Sequence, residues 1–271
     1  MPELPEVETT RRGIARYVTD KKICRVTVRE ARLRYRVPAS FNRKLAGNIV
    51  KSVKRRGKYI ILGLDTGSVI IHLGMSGSIR IVEDSVKPEK HDHIDIVFND
   101  NRCLRYRDPR RFGLVLWTGK NPLEHELLKN LGPEPLMPLF NAKYLYERSR
   151  GRKISIKQFI MDSKIVVGVG NIYASEALFL ANIHPQRAAG RISMDRLGAL
   201  CRAMQKVLAA AIKQGGTTLR DFVNNDGRPG YFSQHLKVYD RADQPCFQCG
   251  AAIKKINLAQ RSTFYCSKCQ R

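Results

Sequence analysis

The four cysteines near the carboxyl end constrain the folding of this chain more than any other feature of its sequence. They form two CxxC pairs with 16 residues between them: Cys246, Cys249, Cys266 and Cys269. This spacing is typical of a tetrahedral zinc site, in which each CxxC turn presents two thiolates to one ion. Two disulfides are the alternative, and they fit a cytosolic protein poorly. Because four thiolates leave no open position for water, the pattern predicts one structural Zn²⁺ per chain.

The residues between the two cysteine pairs predict a basic β-hairpin. The stretch AAIKKINLAQRSTFY has a strand-and-turn pattern and carries Lys254, Lys255 and Arg261. Since the zinc would fold this hairpin, any chemistry must come from elsewhere in the chain.

The chain as a whole is strongly basic, with 49 Lys and Arg residues against 24 Asp and Glu and a net charge of +25. Such a surface favours a polyanion as partner, and nucleic acid is the usual one. No stretch approaches the ~20 apolar residues that cross a bilayer, and the amino terminus lacks a signal-peptide core. We therefore expect a cytoplasmic protein, associated with the nucleoid if it binds DNA.

The first half of the chain reads as one helix followed by strands. Residues 7–18 place Val7, Ile14 and Val18 at helical spacing, after a Pro5 that suits a first turn. Short β-branched runs with partial alternation then fill residues 22–119, including 22–37. The pattern predicts a two-sheet antiparallel sandwich.

Helices dominate after the two prolines of LGPEPL, residues 131–136. The clearest one is predicted at 194–214, with Ser193 as N-cap and Gly215 closing the end. These changes divide the chain into three expected domains. They are a β-sandwich at 1–131, a helical domain at 132–236 and a zinc finger at 237–271.

A glycine-interrupted turn, VVGVGN, joins two amphipathic helices within the helical part. Asn171 is placed to cap the second helix. Such a turn exposes backbone N–H groups that suit a phosphate, but it is equally often a plain helix hairpin, so both interpretations stay open.

Two apolar tips stand out in the strand-rich half. RYRDPRRFG places Arg110 and Arg111 beside Phe112, and HLGMSG places Met75 between glycines. A solvated turn is the ordinary interpretation of an arginine pair, but an aromatic in a basic loop also suits insertion between bases. His91 and His93 favour a phosphate contact or a strand surface over a metal site, because no third ligand lies nearby.

Five motifs together resemble one family, the bacterial formamidopyrimidine-DNA glycosylases, which excise oxidised purines. They are MPELPEVET, HLGMSG, DPRRFG, GVGNIYASE and AQRSTFYCSKCQ, and they run from the first residue to the last. The resemblance implies an α+β fold. Its parts are an N-terminal helix plus antiparallel β-sandwich, then a helical domain with a helix-two-turns-helix element and a C-terminal zinc-finger β-hairpin. It also implies a monomer that holds double-stranded DNA, with the damaged base flipped out, in the cleft between two domains.

The resemblance also implies the catalytic residues. Once the initiator methionine is removed, Pro2 would be the nucleophile and Glu3, oriented by Glu6, the proton donor. A secondary amine attacking C1′ gives a charged iminium, an electron sink that eases loss of the C2′ proton. Lys58 would assist β-elimination and grip phosphate, and Arg261 would grip the lesion's phosphate and assist δ-elimination.

The DNA contacts implied by the resemblance fall into two groups. Contacts with the DNA backbone are expected at His91, Arg110, Arg152 and Asn171. Met75, Arg110 and Phe112 would fill the gap left by the flipped base, with Arg110 facing the orphaned cytosine. Residues 217–232, including Arg220, would form a lid over the base.

Two other functions compete with this one. Endonuclease VIII-like glycosylases share the proline and the zinc finger but prefer oxidised pyrimidines; Leu4 and residues 110–112 favour the purine enzyme. A non-catalytic zinc-finger binder of nucleic acid would explain the charge and the cysteines, but it would give Pro2 and Glu3 no role.

Overall fold

The computed structural model describes residues 1–216 and 232–271. Among them the chain divides into two compact units, one of residues 1–129 with 214–216 and one of residues 130–213 with 232–271. The predicted lid at 217–232 lies outside the described residues, except for Phe232. The three-domain division predicted at 131 and 236 stays a prediction.

The first unit is the predicted helix plus antiparallel sandwich. Helix α1 is Leu4–Val18 and a short helix α2 is Phe41–Leu45. One four-stranded sheet has the order β1 (Ile23–Val28), β6 (Asp92–Phe98), β7 (Arg102–Arg107), β5 (Ser78–Glu83). The other has the order β2 (Val50–Arg56), β3 (Tyr59–Leu64), β4 (Ser68–His72), β8 (Leu114–Thr118).

One buried apolar cluster joins both sheets to the helices. It includes Ile14 from α1, Phe41 from α2, Ile60 from β3 and Ile96 from β6. Burial of alternating strand residues against the apolar face of a helix stabilises this unit, as the sequence pattern predicts. The sandwich is therefore confirmed.

The strand predicted over 22–37 is wrong beyond Val28. The Glu30 carboxylate accepts hydrogen bonds from the backbone N–H and the guanidinium of Arg32. The N–H of Val37 then bonds the carbonyl of Ala31, which closes the segment as a loop. These local bonds satisfy backbone groups that a strand would have paired with a neighbour.

Helix α1 fixes the amino-terminal end of the chain. Glu3 is its N-cap residue and Pro5 lies in its first turn. The Glu6 carboxylate accepts the backbone N–H of Glu3 at 2.8 Å, one half of a capping box. Leu4, Ile14 and Val18 bury one face of the helix completely. The predicted helix is thus confirmed, starting three residues earlier.

The second unit contains four helices and a hairpin: α3 (Ala142–Ser149), α4 (Ile156–Met161), α5 (Asn171–Leu180), α6 (Met194–Lys213), β9 (Lys254–Leu258) and β10 (Arg261–Tyr265). The predicted helix at 194–214 and the predicted hairpin are both confirmed. Gly215 has φ 77°, the left-handed conformation of a helix C-terminal glycine. Within the described part of the chain, no helix combines the length and apolar character needed to span a bilayer.

One prediction about α5 is wrong. Its N-cap is Gly170, and Asn171 is the first helical residue. The side chain of Asn171 cannot cap the helix because its amide points to the hairpin, where it bonds the carbonyl of Ser262.

Candidate functional site

The amino-terminal end lies at a cavity of the first unit. Pro2 and Glu3 are buried, and Met1 is half exposed. Met1 lines a cavity of about 350 Å³ together with Arg34, His72, Gly74, Met75, Arg111 and Phe112. The residue attached to the predicted nucleophile thus shares one cavity with two predicted insertion residues. While Met1 is present, the nitrogen of Pro2 is part of an amide.

His72, which we did not predict, is a buried neutral imidazole in this cavity. Its Nδ1 accepts the N–H of Gly74 at 2.9 Å, and its ring lies 4.8 Å from that of Tyr59. Burial, then the charges of Lys58 and Arg34, lower the pKa of His72 to about 4, although Asp108 opposes them. A histidine two residues before a glycine turn is the only sequence signal that could have identified it.

Lys58 lies at the turn between β2 and β3, directly after Gly57, which has φ 58°. The turn is tied to α1 through Arg55, which donates to the carbonyl of Gly57 and to the carboxylate of Glu8, both at 3.0 Å. Burial opposes ionisation of Glu8, but hydrogen bonds from Arg11, Arg12 and Arg55 bring its pKa to about 2. This ion cluster fixes the turn that carries the predicted catalytic lysine.

The predicted insertion residues of the first unit lie together. Met75 is 40% exposed and Phe112 is 48% exposed, and the guanidinium of Arg110 lies 4.7 Å from the centre of the Phe112 ring. His91 adjoins the same turn, because its carbonyl accepts the N–H of Asp108 at 3.1 Å. Exposed apolar side chains beside a stacked arginine suit contact with bases.

The second unit gathers Asn171, Arg261 and an unpredicted lysine around the hairpin. Asn171 donates to the carbonyl of Ser262 at 2.9 Å. Lys157, only 2% exposed, donates to the hydroxyl of Thr263 at 2.8 Å. Lys157 and Arg261 line a cavity of about 210 Å³. The start of α5, the helix α4 and the hairpin therefore present cationic and amide groups in one place.

Arg152 is the remaining predicted DNA contact of the second unit. It is exposed on the turn after α3, where its backbone N–H bonds the carbonyl of Ser149 and its carbonyl accepts the N–H of Gly190. Its predicted role as a DNA contact stays a prediction.

A third unpredicted residue, Glu176 on α5, holds the segment that leads into the cysteine pairs. Its buried carboxylate accepts three backbone N–H groups, from Lys237, Val238 and Tyr239, at 2.8 to 2.9 Å. Burial raises the pKa of Glu176, although the three hydrogen bonds oppose that effect. These three hydrogen bonds, called the Glu176 clamp below, join α5 to the segment just before the zinc finger.

The four cysteines fit a zinc ion. Their Sγ atoms all lie within 4.8 Å of one another, and two of the separations are 3.9 and 3.5 Å. Zn–S bonds of about 2.3 Å in a tetrahedron place sulfur atoms roughly 3.8 Å apart, whereas a disulfide needs about 2.05 Å. The cysteines therefore form a single structural zinc site. It is the one metal-binding group found in the described residues, so His91 and His93 gain no support as ligands.

Three protein-family profiles match separate parts of this chain. The profile described as the formamidopyrimidine-DNA glycosylase N-terminal domain matches residues 1–115. The profile of the H2TH domain of the same enzymes matches 131–223, and the zinc finger found in FPG and IleRS matches 243–271.

Full-length relatives and solved structures agree with these profiles. Proteins named formamidopyrimidine-DNA glycosylase from Methylococcus capsulatus and Pseudomonas aeruginosa are 57% and 54% identical, each over 100% of both chains. The crystal structure of the MutM (Fpg) protein from Thermus thermophilus is 36% identical, with a TM-score of 0.89 over 99% of this chain and 98% of that one. Wild-type Lactococcus lactis Fpg in complex with N7-benzyl-Fapy-dG DNA is 34% identical, with a TM-score of 0.90 over 100% of both chains.

Proposed function

Because the chain belongs to the formamidopyrimidine-DNA glycosylase family, it is a DNA glycosylase for oxidised purines, and we propose that Pro2 is its nucleophile. The substrate is an oxidised purine, such as 8-oxoguanine or a formamidopyrimidine, in duplex DNA. The observation that carries the proposal is the cavity that Met1 shares with His72, Met75 and Phe112. Loss of Met1 would turn the amide of Pro2 into a secondary amine beside that cavity.

The proposed reaction begins with the lone pair of the Pro2 nitrogen. It attacks C1′ of the lesion nucleotide, the bond from C1′ to the base breaks, and the base leaves with the proton that the nitrogen loses. Glu3 donates a proton to the ring oxygen of the sugar, which opens as the iminium forms. The burial of Glu3, and the bond from its backbone to Glu6, support a fixed position for this acid.

Strand cleavage follows from the iminium. The C2′ proton is removed, the electron pair moves towards the cationic nitrogen, and the 3′ phosphate leaves in β-elimination. A second elimination then releases the 5′ phosphate. Lys58 assists the first step and Arg261 the second, each as a cation beside a departing phosphate. The fixation of the Lys58 turn by Arg55 supports the first assignment.

Two opposing influences act on the protonation of the Pro2 nitrogen. An α-amino group has an ordinary pKa near ~8, and attack needs its unprotonated form. His72 lines the cavity where Met1 lies, and burial with the charges of Lys58 and Arg34 lowers the pKa of His72. The same burial and positive charge act against a protonated amine at Pro2, whereas Glu3 and Glu6 favour one.

We assign DNA binding to both units. The position of the extruded base is filled by Met75, Arg110 and Phe112. Contacts with the DNA backbone come from His91, Arg110, Arg152 and Asn171. The zinc ion folds the hairpin that carries Arg261 and takes no part in the chemistry. We further propose that the protein acts as a monomer in the cytoplasm, where the chromosome lies.

Borohydride trapping tests this function. The protein without Met1 is mixed with duplexes that contain 8-oxoguanine opposite cytosine, a formamidopyrimidine or an oxidised pyrimidine, and the imine is reduced. We expect a covalent adduct with both purine lesions, with mass spectrometry locating it at Pro2. Absence of any adduct would reject the lyase mechanism, and faster trapping with the pyrimidine would favour the endonuclease VIII-like alternative.

A further inference from the structure

Asp108 is a fully buried carboxylate at the start of the turn that carries Arg110 and Phe112. Its Oδ1 accepts the hydroxyl of Ser76 at 2.9 Å. Its Oδ2 accepts the N–H of Gly113 at 2.8 Å and the hydroxyl of Tyr106 at 3.1 Å. Burial and the neighbouring carboxylate raise the pKa of Tyr106, so the phenol stays protonated and donates. The buried side chain of Asp108 is thus satisfied by donors from three separate parts of the first unit.

Ser76 extends this network to the second loop. Its hydroxyl donates to Asp108 and accepts the backbone N–H of Arg110 at 3.3 Å. Ser76 directly follows Met75 in the chain. One hydroxyl and one carboxylate therefore connect the loop that carries Met75 to the turn that carries Arg110.

The backbones of the two loops are also in direct contact. A Cβ atom added at Gly74 would overlap the backbone of Phe112 and Gly113, and one added at Gly113 would overlap the hydroxyl of Tyr106. Gly74 also has φ 65°, which favours glycine. Two loops that are distant in sequence thus pack without side chains between them.

The outer side of the two loops is exposed, unlike the groups that support them. Met75, Arg110 and Phe112 are exposed, while the groups that hold their backbones are buried. Insertion of side chains into a duplex costs unstacking free energy, and freely moving loops would add an ordering cost. A rigid support removes most of that second cost before DNA is bound.

We propose that Asp108, acting with Ser76, is a positioning residue that locks the Met75 loop and the Arg110–Phe112 turn into one element, so that all three side chains enter the duplex together. This inference rests on the insertion role assigned to those side chains under the proposed function. Asp108 touches neither the substrate nor Pro2 in this role. Its effect is on extrusion of the base, before the chemical steps.

Single-turnover kinetics on two substrates test the proposed positioning role of Asp108 and Ser76. One is a duplex with 8-oxoguanine opposite cytosine, which needs extrusion, and the other carries a preformed abasic site, which has no base to extrude. We expect Ser76→Ala, which removes one shared hydroxyl, to slow excision of 8-oxoguanine about tenfold, the effect of losing one well-placed hydrogen bond. Cleavage at the abasic site should change less than about twofold. Asp108→Asn should act in the same direction and more strongly.

Two controls separate positioning from a loss of folding. Ser68→Ala makes the same change at a buried serine at the other end of β4 and should leave both rates unaltered. In a Phe112→Ala background, Ser76→Ala should lose most of its effect, because the lock then positions an incomplete set of side chains.

Three results would contradict the proposed positioning role. They are equal losses on both substrates, full additivity with Phe112→Ala, or an unchanged rate for a folded Ser76→Ala. If Asp108→Asn does not fold, Ser76→Ala decides the question alone. Failure of the proposed function would appear differently, as a wild-type protein that traps neither substrate.

Discussion

The side-chain amide of Asn171 donates a hydrogen bond to the carbonyl oxygen of Ser262, 2.9 Å away. The first residue of α5 is therefore held by the second residue of β10, inside the hairpin that the cysteines fold. The Nζ of Lys157 donates to the side-chain hydroxyl of the neighbouring Thr263. The placement of these two polar groups depends on the hairpin being folded.

Removal of zinc should therefore weaken DNA binding through more than one residue. We expect Cys249→Ser, or chelation of the metal, to lower the affinity for lesion duplex at least about tenfold, since both Arg261 and Asn171 lose their fixed positions. Fluorescence anisotropy measures the affinity. Cys24→Ser changes an exposed cysteine outside the finger and should bind as the wild type does. Unchanged affinity after metal loss would contradict a role of the finger in binding.

One residue added ahead of Pro2 should abolish borohydride trapping and strand cleavage, because the nitrogen then stays in an amide. Binding of the duplex should persist, since the cationic contacts remain. The matched control adds the same residue after Arg271. Trapping by the amino-terminally extended protein would mean that another amine is the nucleophile.

The stability of the first unit should fall as the pH is lowered through the range in which His72 resists protonation. Burial and nearby cations lower the pKa of His72 to about 4, against an ordinary value near 6.5. The unfolded chain therefore binds a proton first, so the free energy of unfolding decreases from about pH 6.5 down to pH 4, by about 3 kcal/mol at most.

His72→Asn tests this pH dependence, because its amide oxygen can still accept the N–H of Gly74. Thermal unfolding at pH 7 and pH 5 should show a smaller difference in Tm for the variant than for the wild type. An equal difference would assign the acid sensitivity to other groups.

Loss of the Glu176 clamp should destabilise the second unit. Glu176→Gln keeps the shape of the side chain but replaces one acceptor oxygen by a donor, which faces backbone N–H groups. We expect the free energy of unfolding in urea to fall by about 2 kcal/mol. Glu147→Gln changes an exposed glutamate on α3 and should have an effect below about 0.5 kcal/mol. Similar values for the two variants would show that the clamp contributes little.

DNA binding should weaken steeply as salt is raised, because several phosphate contacts release counterions. Arg152 is an exposed residue among the predicted contacts of the second unit, so it provides a test of its own. If it contacts a phosphate, Arg152→Gln should reduce the slope of log affinity against log salt by about 0.9 and act equally on damaged and undamaged duplex. Titrations at several salt concentrations measure the slope, and a parallel line would exclude the contact.

Residues whose role depends on local spacing could be predicted from the sequence. The zinc ligands follow from the two CxxC pairs, and α1 and α6 follow from their apolar periodicity. Asn171 shows where local reasoning fails. It is placed correctly for a cap, but its amide bonds a carbonyl 91 residues away, which no local pattern reveals.

The buried polar residues could not be predicted from the sequence, for the same physical reason. Asp108 has the sequence context of an ordinary turn residue, and its partner Ser76, 32 residues earlier, comes next to it only once β4, β5 and β7 are assembled. Glu176 is one acid on an apolar helix, and its three partners lie more than 60 residues along the chain. Burial is a property of the fold, so a sequence alone does not distinguish such groups from solvated ones.

The contact between the backbones at Gly74 and Gly113 also bears on protein engineering. Neither position has room for a side chain, whereas Met75, Arg110 and Phe112 point outwards. If those side chains enter the duplex as proposed, a mutant library that varies the three exposed residues and keeps both glycines would alter which base pairs are contacted while preserving the support beneath them. Randomising the glycines would mostly yield misfolded proteins. New lesion or opposite-base preferences should therefore be sought at the exposed positions of these two loops and not at the glycines.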